Sequence, residues 1–260
     1  MTATVKTSVA DGVARLTLNR PDDMNSFDGD TARAIVDAVE GFAEDDSVRV
    51  LVLGSEGKAF SAGGDFNWVL TWPTLDAITR RVGADAMMGA VQAVYDFPKP
   101  SIARVHAAAV GGGVGLMLAC DFAIAASTAR FGLTSVRNGL LAGIAIPVLI
   151  EAVGPRLARQ LLMHGGLFDA ETALRIGLVD QVVAADALDE TVVTLAHELM
   201  LGAPLVQRLI KELVPVLDAR PHDEEAAGLI GEQVAAQCTT EEALEGMRAF
   251  LDKRKPGWAV

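Results

Sequence analysis

The chain has 260 residues, of which 51 % are apolar and 22 % charged. This excludes a disordered protein and leaves enough chain for a sizeable core, in one large domain or a domain with a helical appendage. Lysine and arginine number 22 against 34 aspartates and glutamates, a net charge of −12, which argues against a nucleic-acid partner because phosphate binding needs a basic face.

Residues 13–18 alternate, with Ala14, Leu16 and Leu18 on one face, and predict a strand ending at Asn19-Arg20-Pro21. Asp28 and Asp30 are candidate caps for a helix whose apolar residues Ala32, Ile35, Val36, Val39 and Phe42 keep helical spacing. Residues 48–53 are apolar apart from Arg49 and predict a strand buried on both faces, leading into a glycine-bearing turn at residues 55–65. Residues 66–79 hold Trp68, Trp72 and Pro73 without a clean period; they predict a loop with short helical turns, either a pocket wall or satellite packing.

A helix over 82–95 is expected to break at Pro98-Lys99-Pro100, and a strand over 101–105 leads to Gly111-Gly112-Gly113. Three glycines running into the apolar segment that ends at Cys120-Asp121 call for positive φ or a close backbone approach. The amides of a first helical turn lack intrahelical partners and lie at the positive end of the helix dipole, so they suit an anion or a developing oxyanion. Close packing of two elements is the alternative. Short strands are expected at 122–125 and 130–131, and from Ile144 onward helices dominate, interrupted by a strand at 181–183.

No apolar run is long enough to span a bilayer and residues 1–7 carry no signal-peptide core, so a cytoplasmic protein with no membrane partner is expected. Cys120 and Cys238 are then expected as buried free thiols. The four histidines show no close His/Cys spacing, so no metal site is expected.

Four stretches carry a resemblance: Leu18-Asn19-Arg20-Pro21; Gly57 to Asp65; Gly111-Gly112-Gly113 through Cys120-Asp121; and Ala170-Glu171-Thr172-Ala173 with Gly177-Leu178-Val179-Asp180. In this order, over nearly the whole chain, they resemble the crotonase superfamily, the enoyl-CoA hydratase and isomerase family. The resemblance implies an α/β fold, a crotonase-like spiral of ββα units over residues 1–195 followed by a C-terminal helical trimerisation region over 196–260. It implies an acyl-CoA thioester as substrate, coenzyme A entering only as part of it, and a homotrimer or dimer of trimers. The enolate of the thioester would be held by two backbone amides, which match Gly64 and Gly112.

The family's hydratases carry two glutamates, whose positions here are Gly115 and Ser135; an aspartate used by related isomerases and dehalogenases matches Gly143. Plain hydration is thus poorly served, since general acid–base catalysis contributes about 10²–10⁴ in rate, and isomerase, hydrolase and lyase chemistry stay open. Asp65 and Ser135 are the candidate catalytic side chains, each with a structural alternative. Arg20, Lys58, Ala62, Trp68, Phe250 and Lys253 are candidate substrate contacts, with Lys255 a further basic residue at the end of the chain. His106 is expected as a satisfied core histidine, and Arg80, Arg81, Arg137 and Asn138 as pocket-loop or solvated groups. An ordinary enoyl-CoA hydratase of fatty-acid oxidation and a non-catalytic acyl-CoA binder are the competing readings.

Overall fold

A computed structural model describes residues 3–218 and 223–259. Ahead of the expected first strand lies another: Val5–Ala10 (β1) pairs antiparallel with Val13–Leu18 (β2). Between them Asp11 and Gly12 both take positive φ, 50° and 77°, as a two-residue hairpin turn matched to strand twist requires. β1 shows no apolar alternation because its residues from Lys6 to Ala10 are exposed, whereas Ala14, Leu16 and Leu18 of β2 are buried as their period predicts. Gly29–Glu44 (α1) begins at Asp28, whose carboxylate accepts from the Thr31 amide, and buries Ala32, Ile35, Val39 and Phe42. Val36, expected on that face, sits half-buried at its edge.

From here the strands are divided between two sheets. Val50–Ser55 (β3), Ser101–Val105 (β5), Phe122–Ala126 (β7) and Gln181–Val183 (β10) extend β1 and β2 into a six-stranded sheet of order β1-β2-β3-β5-β7-β10, parallel beyond the hairpin. Ala59–Ser61 (β4), Ala108–Val110 (β6), Arg130–Gly132 (β8) and Leu167–Asp169 (β9) form a second sheet in that order, with only β9 antiparallel. Helices follow each pair: Phe66–Val69 (α2) and Ala77–Tyr95 (α3) after β4, Gly112–Leu118 (α4) after β6, Ile146–His164 (α5) after β8 and Ala170–Arg175 (α6) after β9. This is the ββα spiral that the resemblance implies. β4, β6 and β9 were not foreseen; at three residues each they are too short to show a period.

The main core fills the space between the sheets and α1, α3, α4 and α5, with Leu16, Leu53, Phe60, Val105, Leu116 and Phe131 fully or almost fully buried. A second, smaller core lies on the outer face of the six-stranded sheet. There Leu188–Met200 (α7) lays Leu188, Val192 and Ala196 on Val13, Val50, Val52, Ile102 and Ile124. α7 therefore folds back on its own chain, which removes Leu188 and Val192 from any surface offered to another subunit.

The last three helices, Pro204–Asp218 (α8), Glu224–Gln237 (α9) and Glu241–Leu251 (α10), leave Ile210, Val214, Ile230, Val234, Met247, Phe250 and Leu251 exposed. Lys211 ties α8 to Asp121 at 2.8 Å, and Glu242 on α10 accepts from the amides of Leu205 and Val206 at the start of α8. Cys120 is buried, and burial pushes its thiol well above the usual range. Cys238 is exposed, against expectation, at the C-terminal cap of α9. No helix among the described residues is long and apolar enough to cross a membrane.

Candidate active site

The first glycine turn is held by a loop that the sequence reading passed over. Asn25, 2 % exposed and at positive φ, donates from Nδ2 to the carbonyls of Glu56 and Ala59 and accepts the Arg20 amide on Oδ1. It clamps residues 20–26 against the β3–β4 turn; asparagine tolerates the left-handed region, which is the signal that marks such a position. The chain then runs parallel to residues 61–65 as far as an isolated bridge between Phe27 and Gly64. The amide of Ala62 donates to Met24 O, that of Gly63 to Ser61 Oγ, and that of Asp65 to Phe27 O. Among the described residues the Gly64 amide has no acceptor; the bridge uses the Gly63 carbonyl and the Asp65 amide, on either side of it, so the Gly64 N–H faces away from Phe27.

The second turn has the same property. Gly111, at φ 55°, donates to Gly132 O, and Gly112 opens α4, where no intrahelical acceptor exists for its amide. The two turns pack back to back. A Cβ on Gly63 (φ 85°) would lie 2.6 Å from Gly112 N and 2.9 Å from Val110 O, and one on Gly113 would overlap the Ser61 carbonyl. Only glycine permits this approach, so both alternatives raised by the sequence, close packing and unpaired amides, hold at once.

The surroundings of the two amides are apolar. Met87 Sδ lies 3.4 Å from the Cβ position of Gly64, while Ile144 Cδ1 and the Phe27 ring lie 2.5 Å and 3.1 Å from that of Gly112. The three positions matched to family carboxylates differ in their space. At Gly115 a side chain would meet Ala145 Cα at 3.2 Å and Ile144 O at 3.3 Å, because the tight turn Gly143–Ala145 packs there. Ser135 is half-buried, with Oγ 3.3 Å from the Cβ position of Gly111; at Gly143 the nearest atom to an added Cβ is Leu141 Cδ2 at 3.7 Å.

Several candidate residues are committed within the chain. Asp65 caps α2, Oδ1 accepting from the amides of Asn67 and Trp68, while Oδ2 accepts from Arg20 at 2.8 Å. Arg20 also donates to Ser26 O and pairs with Asp23 and Asp28. Burial opposes its charge, but the bond to Asp65 and the charges of Asp28 and Asp23 outweigh that and raise its pKa. Both side chains thus serve to fix the first turn. Asp65→Ala removes a cap and one partner of a largely buried pair, and is expected to cost about 2 kcal/mol. Urea denaturation measures it, and an unchanged midpoint would contradict this bracing role.

Trp68 stacks edge-on against Trp72, ring centroids 5.2 Å apart, and covers Gly29 and Gly83 between α1 and α3. Lys58 and half-buried Ala62 flank β4, and Lys58 is an exposed cation with no partner among the described residues. Phe250 and Lys253 lie exposed at the end of α10, where the chain is bonded to itself by Arg254 and Glu245. Arg81 pairs with Asp85, and Arg137 leans on His164 O at 3.4 Å. Among the described residues no group of three or more metal-ligating side chains is assembled.

The two sheets, the ββα order and the paired glycine turns define an α/β protein of crotonase type. The model of the Enoyl-CoA hydratase/isomerase family matches residues 8–260. A crotonyl-CoA hydratase of Syntrophomonas wolfei is 36 % identical over 246 residues, 94 % of this chain and 93 % of that protein. A carnitinyl-CoA dehydratase of Salmonella typhi is 32 % identical over 95 % of this chain and 94 % of its own length. The crystal structure of an enoyl-CoA hydratase from Shewanella pealeana superimposes with a TM-score of 0.94 at 30 % identity, covering 98 % of this chain and 96 % of that one. The chain belongs to the enoyl-CoA hydratase/isomerase family and is an enzyme.

Proposed function

We propose that this enzyme takes an acyl-CoA thioester and stabilises the enolate of its carbonyl between the amides of Gly64 and Gly112. The observation that carries the reading is the pair of unpaired amides on two turns packed against each other, within apolar walls. Preorganised backbone donors in a water-poor site act most strongly on a developing oxyanion. The names of the relatives, a crotonyl-CoA hydratase and a carnitinyl-CoA dehydratase, support the substrate class. Coenzyme A enters as part of the substrate, and no separate cofactor is proposed.

Neither matched glutamate position can supply a carboxylate, since they hold Gly115 and Ser135. We therefore place the reaction outside ordinary hydration. The relatives' names favour a second reading, the ordinary hydratase, and a silent acyl-CoA binder is the third. A panel of acyl-CoAs followed by mass spectrometry separates them: product from at least one is expected, and tight binding without any product would favour the silent binder.

We place the protein in the cytoplasm and assign α8 to α10 to subunit contacts, with the division between spiral and helical region at 195/196, within the last turns of α7. The exposed apolar side chains of α8–α10 support this, because burying them stabilises at roughly 25 cal/mol per Å² and a closed symmetric assembly limits its size. Light scattering at micromolar concentration is expected to give three or six times 27.3 kDa; a stable monomeric mass would refute the assembly.

A further inference from the structure

The outer face of the six-stranded sheet is only half covered. α7 seals the row formed by Val13, Val50, Val52, Ile102 and Ile124. Further along the same face, Thr17 of β2 lies beside Gly54 of β3, and Arg104 of β5 packs 3.7 Å from the Cβ position of Gly54. Arg15 stands one row back, in register with Val52, and His106 follows the end of β5. These strands run parallel, so this corner is the carboxyl end of the sheet, where open α/β sheets hold ligands. Parallel sheets are otherwise covered on both faces.

The corner is a concavity of about 370 Å³ whose polar lining includes Arg15, Thr17, Ser55, Arg104 and His106, with Glu56 on its wall. Glu56 pairs with Lys6 at 3.7 Å, and Arg104 is ion-paired with Asp189 at the start of α7. Arg15 is half-buried and makes no hydrogen bond or close ion pair among the described residues. Asp189 is held below the usual carboxylate range first by its bond to Arg104 and then also by the charge of Arg15 and His106, so all three basic groups lie within electrostatic range of one carboxylate.

The histidine is the second observation. Its Nε2 lies 2.9 Å from Gly57 O, and a carbonyl only accepts, so this nitrogen carries hydrogen. Its Nδ1 is buried and has no partner, contrary to the satisfied core histidine expected from sequence, and such orphaned atoms are rare in folded proteins.

We infer that this corner binds a phosphate group. Its oxygens accept from the Arg15 fork, and a phosphate hydroxyl donates to His106 Nδ1, the acceptor nitrogen of a ring whose Nε2 carries the hydrogen, giving a partner to each group that now lacks one; the planar guanidinium suits phosphate geometry. In a chain of net charge −12, such a local positive concavity is a selective feature. The site stands apart from the glycine turns, on the opposite face of the sheet, and does not depend on the enolate reading. Its one link to them is Gly57, which precedes the unpaired Lys58. The phosphate comes either as a free anion or from coenzyme A reaching across that turn.

Isothermal titration of the full chain with inorganic phosphate in low-chloride buffer is expected to give a Kd on the order of 1 mM. Arg15→Gln and His106→Gln should each weaken it by about tenfold, with Arg15→Lys in between. Phosphate should also shift the His106 imidazole signal of the unaltered protein, assigned by its loss in His106→Gln, a readout that does not need the arginine variant to fold. Competition by coenzyme A but not by pantetheine would name coenzyme A as the source; simultaneous binding of both would name a free phosphate, and either supports the site. Absence of heat together with an unmoved His106 signal, or full-strength binding in a folded Arg15→Gln, would overturn it.

Discussion

Gly112→Pro, made together with Ile144→Ala, is expected to lower turnover of the enzyme's acyl-CoA substrate by about 10²–10³-fold, the usual effect of losing one oxyanion donor. Proline puts its ring Cδ in place of the amide hydrogen, so the donor is lost and the space in front of it is filled, while the backbone itself accepts the change. Gly112 is the first residue of α4 and is not among the glycines at positive φ, and proline is well tolerated at the first helical position. The alanine is needed because any side chain at 112 meets Ile144 Cδ1 at 2.5 Å. Free coenzyme A, which has no acyl carbonyl, should bind the variant as before, while the ¹³C signal of a bound thioester carbonyl should lose the shift that two donors impose. Undiminished turnover with an unchanged carbonyl signal would end the assignment of Gly112.

Hydration of crotonyl-CoA, followed by loss of enoyl absorbance, is expected to be far slower than the roughly 10 s⁻¹ of an ordinary enzyme. More telling is how the vacant positions respond when refilled. Ser135→Glu, at a half-buried position beside a glycine that carries no side chain, should raise hydration by at least about tenfold, toward the 10²–10⁴ that a positioned acid or base supplies. Gly115→Glu should give no gain and cost about 1–3 kcal/mol by overpacking, since Ala145 and the Ile144 carbonyl stand where its stem must pass. Thermal melts and the same absorbance assay check both. A stable Gly115→Glu that hydrates faster than Ser135→Glu would show that the turn Gly143–Ala145 yields readily.

What the sequence revealed follows from which forces act locally. β2, α1 and β3 were legible because burial on one or both faces imposes a period on apolar residues, and Ala14, Leu16, Ile35 and Leu53 all reached the core. β1 was invisible because a hairpin edge strand exposed to water needs no apolar face; Asp11-Gly12 was its only signal. The glycine turns could be located from composition, but not the reason their amides stay unpaired, which depends on Asn25 and Phe27 about forty residues upstream of Gly64 in packing terms no period encodes. Likewise the sequence left Asp65 open between a structural and a catalytic role and offered Arg20 as a substrate contact, and it could not show that the two pair with each other in space. The closed space at Gly115 is a tertiary fact, set by Ile144 and Ala145.

The back-to-back contact of Gly63 with Gly112 has a consequence for how the chain responds to its ligand. The two amides proposed to hold the thioester oxygen come from different turns of the spiral, which meet only when both are fully seated, so on that proposal a partly unfolded chain has no weak version of the site. Binding there would be confined to the native state, and mass action alone would make the thioester a stabiliser, by about 2.7 kcal/mol at a hundredfold excess over Kd. A cell that depletes this ligand would not merely idle the enzyme; it would shorten the life of the folded protein.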